Sequence, residues 1–241
     1  MTIVPIILAA GEGKRMGSDK AKVLSPVLGV PMILRVIDAA SIPGAEQPVI
    51  IVGHMKEQVM QELGDSVRYA VQEQRLGTGH AVMMAKGYLY GKTGLALIIA
   101  GDMPLIRRET VISLAKAATG KAVALLTAVL PDPTGYGRII RDKDGNLLGI
   151  IEHKDATPEQ LAINEVNASV YCFDIETLLK SLEHLTSDNS QGEYYLTDCV
   201  EAIVKSNRKA VALRCDDPSE CMGANDPQQL AECERLLVGR L

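Results

Sequence analysis

Lys14, Arg15, Lys20 and Lys22 follow the glycine turn Gly11-Glu12-Gly13, which itself follows the apolar run from Ile3 to Ala9. Glycines let a backbone approach a ligand closely and aim N–H groups at an anion. Arginine and lysine supply the charge that holds phosphate oxygens. The stretch therefore reads as a strand feeding a phosphate-binding loop, against the plainer alternative of a surface loop with solvated charges. Counting removes two familiar loops. In the dinucleotide pattern G-x-G-x-x-G, Gly11 and Gly13 fit but Gly17 is one place late, and no acidic residue ends the second strand. In the pattern G-x-x-x-x-G-K-[ST], Met16 stands where the second glycine belongs.

A second group is Gly101-Asp102-Met103-Pro104-Leu105, directly after the apolar run 95–100. A carboxylate just beyond a buried strand suits Mg²⁺, which prefers oxygen and takes one or two protein ligands beside phosphates and water. The plain alternative is a turn or helix-capping Asp. A third group is the run Gln72 to Ala81, in which Gly77-Thr78-Gly79 makes a tight turn into a helix. Thr78 has the bland reading of an N-cap. Gln72 carries both a donor and an acceptor, which suits a nucleobase edge. His80 has no cysteine or serine nucleophile in a recognisable motif and is not read as catalytic.

The elements that must position these groups alternate. Strands are expected over 3–9, 48–52, 67–71, 95–100 and 122–129, with helices over 31–40, 56–63, 79–89 and 109–118 between them. Near-continuous apolar strands separated by helices indicate a mostly parallel α/β sheet covered on both faces. In such sheets ligands bind beyond the carboxyl ends of the strands, where the glycine loop and Asp102 both fall. After Pro131 the pattern changes. Residues 135–156 read as a hairpin turning at Asp144-Gly145, followed by a loop or short helix over 157–164 and a strand over 166–173. Helices over 175–184 and 197–206, a strand over 209–213 and a terminal helix over 227–241 complete the chain. The expected division is a nucleotidyltransferase domain over 1–227 and a helical tail over 228–241.

The 241 residues are 47% hydrophobic and 23% charged, enough to bury a real core. The net charge of -5 argues against a nucleic-acid partner. No run approaches the roughly 20 apolar residues of a membrane helix, and no targeting segment is visible. The five cysteines form no CxxC pair and read as reduced thiols of a cytoplasmic protein. In that setting the formal glycosylation triplet Asn167-Ala168-Ser169 carries no meaning.

Taken together, the motifs resemble the sugar-nucleotide pyrophosphorylases. These motifs are Leu8-Ala9-Ala10-Gly11-x-Gly13-x-Arg15-Met16, Lys22, Gly77-Thr78-Gly79-His80-Ala81 and Gly101-Asp102-x-Pro104-Leu105. Gly135-Tyr136-Gly137-Arg138-Ile139, Glu152 to Ala156, Glu165-Val166-Asn167, Gly192 to Asp198 and Gly223-Ala224-Asn225 narrow the likeness. Over nearly the whole chain they look like the uridylyltransferase half of the bifunctional N-acetylglucosamine-1-phosphate uridylyltransferase/glucosamine-1-phosphate acetyltransferase family. The opening motif is weakly specific; the later segments, in this order, are strongly so.

The resemblance implies a Rossmann-like nucleotidyltransferase fold and a Mg²⁺-dependent reaction of UTP with N-acetylglucosamine 1-phosphate. It implies that Leu8, Ala9, Ala10, Gly11 and Gln72 cradle the nucleoside, with Gly13, Gly77, Thr78, Ala100, Gly101 and Asp102 also lining the nucleotide site. Arg15 and Lys22 would hold the triphosphate as the catalytic cations. Asp102 and Asn225 would bind the metal, and Gly137, Glu152 and Asn167 the N-acetylated sugar. The implied nucleophile is a phosphate monoester with a second pKa of about 6, already largely dianionic at neutral pH, so no general base would be required.

The sequence departs from the family in places. Lys14 stands where Thr is usual and has no evident role, Ala21 stands where Pro is usual, and Ser25 where His is common. The opening with Gly17 also resembles that of cytidylyltransferases, whose later segments do not fit. No hexapeptide repeat occurs, so acetyl transfer is not expected of this chain. The alternatives are the same chemistry on another sugar 1-phosphate or nucleotide, and a non-catalytic nucleotide-sugar-binding protein. Oligomeric state is left open.

Overall fold

The apolar runs rich in Ile, Val and Leu pair side by side, as β-branched residues on a doubly covered sheet should. In the computed structural model, which describes residues 1–17 and 19–240, the first half of the chain alternates as expected. It contains β1 (Ile3–Ala9), the two-residue strands β2 (Pro26–Val27) and β3 (Val30–Pro31), α1 (Met32–Ala40), β4 (Val49–Val52), α2 (Lys56–Leu63) and β5 (Arg68–Val71). Helices α3 (Thr78–Met84) and α4 (Lys86–Leu89), β6 (Leu95–Ala100), α5 (Arg108–Ala118) and β7 (Val123–Val129) follow. The second half holds β8 (Arg138–Arg141), β9 (Leu147–Ile151), α6 (Pro158–Leu161), β10 (Glu165–Asp174), α7 (Ile175–Leu182), α8 (Leu196–Lys205), β11 (Ala210–Arg214) and α9 (Pro227–Val238). Leu241, expected in the terminal helix, lies outside the described residues.

The main sheet runs β11-β7-β10-β6-β1-β4-β5. Its neighbours are parallel except at β10, which is antiparallel to both β6 and β7. The hairpin β8–β9 joins the sheet through Val166 opposite Arg138. Because β10 runs backwards, its first residues lie at the carboxyl edge: Asn167 pairs with Thr127 near the end of β7. A register shift between Asn167 and Tyr171 bends the strand there, with Ser169 at φ +55°.

Successive side chains point to opposite faces. Ile7, Ile50 and Ile99 pack with Ile33, Val36, Val59 and Val111 from α1, α2 and α5. Ile6, Ile51 and Ile98 pack with Val82, Leu89, Leu178 and Val200 from α3, α4, α7 and α8. A third cluster joins Val27, Met32, Leu105, Ala224 and Cys233. It holds α9 against the β2–β3 turn, with Leu230, Leu236 and Leu237 packed around it. The cap of α9 is Asp226, whose side chain accepts from Gln229 N–H, with Pro227 at the first turn.

Two local expectations need correction. The helix expected over 79–89 is broken at Ala85, a buried residue at ψ −2°. Thr78 is not an N-cap, since Gly77 holds that position with no side-chain bond. Instead the Thr78 hydroxyl oxygen accepts the Leu196 N–H at 3.1 Å, tying α3 to α8.

Candidate active site

The glycine loop leaves β1 at its carboxyl end. A short 3₁₀ turn, Lys14–Met16, is bracketed by Gly13 at φ +66° and Gly17 at φ +59°. A Cβ on Gly13 would lie 2.7 Å from Lys22 Cβ, so the loop folds directly over the Lys22 stem. Lys14, which had no role in the sequence, pairs with Glu12 at 3.1 Å. Arg75 pairs with the same carboxylate, and the two cations hold the Glu12 carboxyl below its usual range, Arg75 most strongly.

Two hollows adjoin at this edge of the sheet, sharing Leu8, Thr78, Ala100, Asp102 and Ser169. One, of about 270 Å³, is walled by Ala9, Ala10, Gly11, Lys22, Gln72, Gly77 and Arg75. The other, of about 320 Å³, is walled by Arg15, Gly137, Glu152, Asn167, Thr197 and Asn225. All the sequence-derived site residues therefore line one hollow or the other except Gly13 and Gly101. Gly13 sits behind Lys22, and Gly101 donates its N–H to Leu8 C=O at 2.9 Å, fixing the floor.

At the join, the Lys22 ammonium donates to Asp102 Oδ2 and, at 3.0 Å, to Asn225 Oδ1. Asp102 C=O accepts from Ala224 N–H at 2.9 Å, and Asn225 N–H donates to Gln229 Oε1 at 2.8 Å. The two residues expected to bind a metal thus present a carboxylate and an amide oxygen to one existing positive charge. Hard oxygen donors of this kind suit Mg²⁺. Among the described residues no group of three or more His, Cys, Asp or Glu could hold a metal ion. A metal here would therefore draw its other ligands from phosphate and water.

A mostly parallel Rossmann-like sheet fits the nucleotidyltransferase relatives found for this chain. The MobA-like NTP transferase domain matches residues 5–193. The chain belongs to that family. It is 44% identical over 241 residues to the bifunctional protein GlmU of Acetivibrio thermocellus, covering 99% of this chain and 52% of that protein. It is 46% identical over 239 residues to the bifunctional protein GlmU of a Geobacillus species, covering 98% and 52%. For the same protein of Listeria monocytogenes the identity is 44% over 238 residues, again 98% and 52%. The chain spans about half the length of the curated relatives it matches. No helix among the described residues is long and apolar enough to cross a membrane.

In this NTP transferase the wall opposite the glycine loop is polar and tightly paired. Glu152 is half-buried, and desolvation pushes its carboxyl above the usual range. Thr197 Oγ1 donates to Glu152 Oε1 at 3.0 Å and opposes that rise. Asn167 N–H donates to Gly137 C=O at 2.9 Å, and its Nδ2 donates to Tyr171 Oη at 2.6 Å. Burial drives the Tyr171 hydroxyl well above its usual pKa, keeping it protonated. The fully buried Arg138 donates to Tyr136 C=O and, at 3.4 Å, to Leu161 C=O, so it anchors the 135–137 loop from below. On the other side, Gln72 Nε2 is shared between Gly77 C=O and His80 Nδ1, each at 3.0 Å. His80 therefore orients Gln72.

Several lining residues were not singled out from the sequence. Thr197 and Tyr136 lie inside motifs quoted for the resemblance, so the signal was present without a role attached. Arg75 and Gln229 carried none, since neither the run after Gln72 nor the terminal helix marks which side chain turns inward.

Proposed function

We propose that this chain transfers a uridylyl group from UTP to N-acetylglucosamine 1-phosphate, giving UDP-N-acetylglucosamine and pyrophosphate. The observation that carries the reading is the position of Lys22, Asp102 and Asn225 at the join of the two hollows. One hollow is lined by the residues assigned to the nucleoside and the other by those assigned to the sugar. The motif resemblance to the uridylyltransferase half supports the choice of substrates, as does the likeness to the bifunctional protein GlmU.

A phosphate oxygen of the sugar 1-phosphate attacks the α-phosphorus, the new O–P bond forms in line, and the bond to the departing pyrophosphate breaks. That oxygen is already ionised, so no side chain need act as a general base. The difficulty is holding two anions together and stabilising the charge on the leaving group, which positioning and electrostatics supply. Lys22 and Arg15 neutralise phosphate oxygens. Gln72, held by His80, orients the base. Glu152, Asn167 and Gly137 hold the sugar hydroxyls and acetamide. Asp102 and Asn225 would hold the Mg²⁺, which when bound supplies further neutralisation of phosphate charge.

The test is pyrophosphate release from a panel of nucleoside triphosphates against sugar 1-phosphates, with and without Mg²⁺. UTP with N-acetylglucosamine 1-phosphate should be the best pair, with release dependent on the metal. Preference for another pair would change the substrates, and binding without turnover would remove the enzyme reading.

A further inference from the structure

The site is completed from α9, which lies outside the residues 5–193 matched by the transferase family. Gln229 projects from its first turn into the wall of the hollow that holds Gly137, Glu152 and Asn167, and takes no part in the hollow lined by Gln72 and Gly11. Its Oε1 accepts the Asn225 N–H at 2.8 Å. That bond fixes the amide orientation, because the flipped form would set NH₂ against a backbone N–H and leave two donors unpaired. Nε2 is thereby turned away from Asn225, and among the described residues it has no protein acceptor. The helix beneath it is firmly seated. Asp226 caps it, Glu234 Oε1 accepts from Leu28 N–H at 3.0 Å, and Cys233 is buried in the third cluster.

We propose that Gln229 binds the phosphate of the sugar 1-phosphate, donating from Nε2 to a phosphate oxygen while Oε1 keeps Asn225 in place. This rests on the reading of the larger hollow as the sugar-phosphate site. A neutral donor suits that position. It orients a dianionic nucleophile beside Asp102 without adding another charge for the leaving group to compete with. It also makes one side chain serve two partners, the incoming phosphate and the Asn225 loop.

The experiment is calorimetric binding of N-acetylglucosamine 1-phosphate, and separately of unphosphorylated N-acetylglucosamine, to the full chain and to Gln229→Glu. Glutamate still accepts from Asn225 N–H but replaces the donor with an anionic oxygen. Binding of the sugar phosphate should weaken at least tenfold while that of the free sugar stays within twofold. In steady-state rates, KM for the sugar phosphate should rise at least tenfold and KM for UTP should not move. Should Gln229→Glu fail to fold, Gln229→Met should give the same divergence between the two ligands. Unchanged affinity for the sugar phosphate in either folded variant overturns the proposal, as does equal weakening of both ligands. A wild-type chain that binds neither ligand overturns it too. A wild-type chain that binds the sugar phosphate and shows the divergence but releases no pyrophosphate sinks the uridylyltransferase reading and leaves Gln229 as the phosphate contact.

Discussion

Lys22 Nζ and Asn225 Oδ1 lie 3.0 Å apart although 203 residues separate them in the chain. The same ammonium reaches Asp102, so one lysine bridges the two oxygens proposed to hold the metal. Asp102→Ala and Lys22→Ala should each lower turnover at least about 100-fold, the scale for losing one strong transition-state contact. Turnover followed by pyrophosphate release, with circular dichroism to confirm folding, checks this. The two variants should part company in direct Mn²⁺ binding read by electron paramagnetic resonance without nucleotide. Asp102→Ala should bind less, having lost an oxygen ligand. Lys22→Ala should bind more, since no ammonium then competes for the oxygens.

Thr197 supports the half-buried Glu152 carboxylate, and its loss should be felt on one substrate only. Thr197→Val keeps the shape and removes the donor to Glu152. A hydrogen bond to a charged group contributes about 1.5–3 kcal/mol, so KM for the sugar phosphate should rise at least about tenfold. KM for UTP should be unaffected. Parallel titrations of the two substrates give the answer, and an equal effect on both would mean that Glu152 is not a sugar contact.

Asp198 opens α8 with its carboxyl raised from 3.8 to about 6, first by burial and then by the neighbouring charges of Glu201 and Asp155, with Lys205 pulling the other way. Between those two values the folded chain keeps a proton that the unfolded chain has lost. Stability from this group is therefore complete below about pH 4 and declines as pH rises through 6. Asp198→Asn should raise Tm at pH 7.5 and leave it nearly unchanged below pH 4. Thermal unfolding across that range decides it, and a constant offset at every pH would refute the linkage.

Gly77 stands at φ +102°, and a Cβ there would fall 2.6 Å from Tyr194 C=O. Gly77→Ala should destabilise the fold by about 1–3 kcal/mol, the scale for backbone strain of this kind. Because Gly77 C=O also holds Gln72, KM for UTP should rise as well. Urea unfolding reads the first effect and initial rates the second.

Much of this arrangement was legible in the chain because it is local. The glycine loop, Gly77-Thr78-Gly79 and Asp102 each follow an apolar run, and a run that ends in turn residues marks a strand edge. What was hidden depends on distance or direction. Apolar periodicity carries no strand polarity, so only Asp144-Gly145 announced that antiparallel pairing would follow. Nothing showed that β10 would insert between β6 and β7. Alanine is the best helix former, so Ala85 gave no sign of a break. Thr78 reads as a cap by type, yet its partner is Leu196, 118 residues away. Thr197 reaches Glu152 across 45 residues, and no local pattern encodes that contact.

The clasp of α9 on the β2–β3 turn has a consequence for biosynthesis. Glu234 meets Leu28 across 206 residues. At roughly 5–20 residues per second, the segment carrying Lys22 waits about 10–40 seconds on the ribosome before its clasp is translated. During that interval β4, β5 and β6 join β1, but until its end the lysine has no Asn225 to meet. Assembly of the Lys22–Asp102–Asn225 contact is thus deferred by the order of translation. A nascent chain has its glycine loop long before it has the residues of 223–234 that meet Lys22 and Leu28.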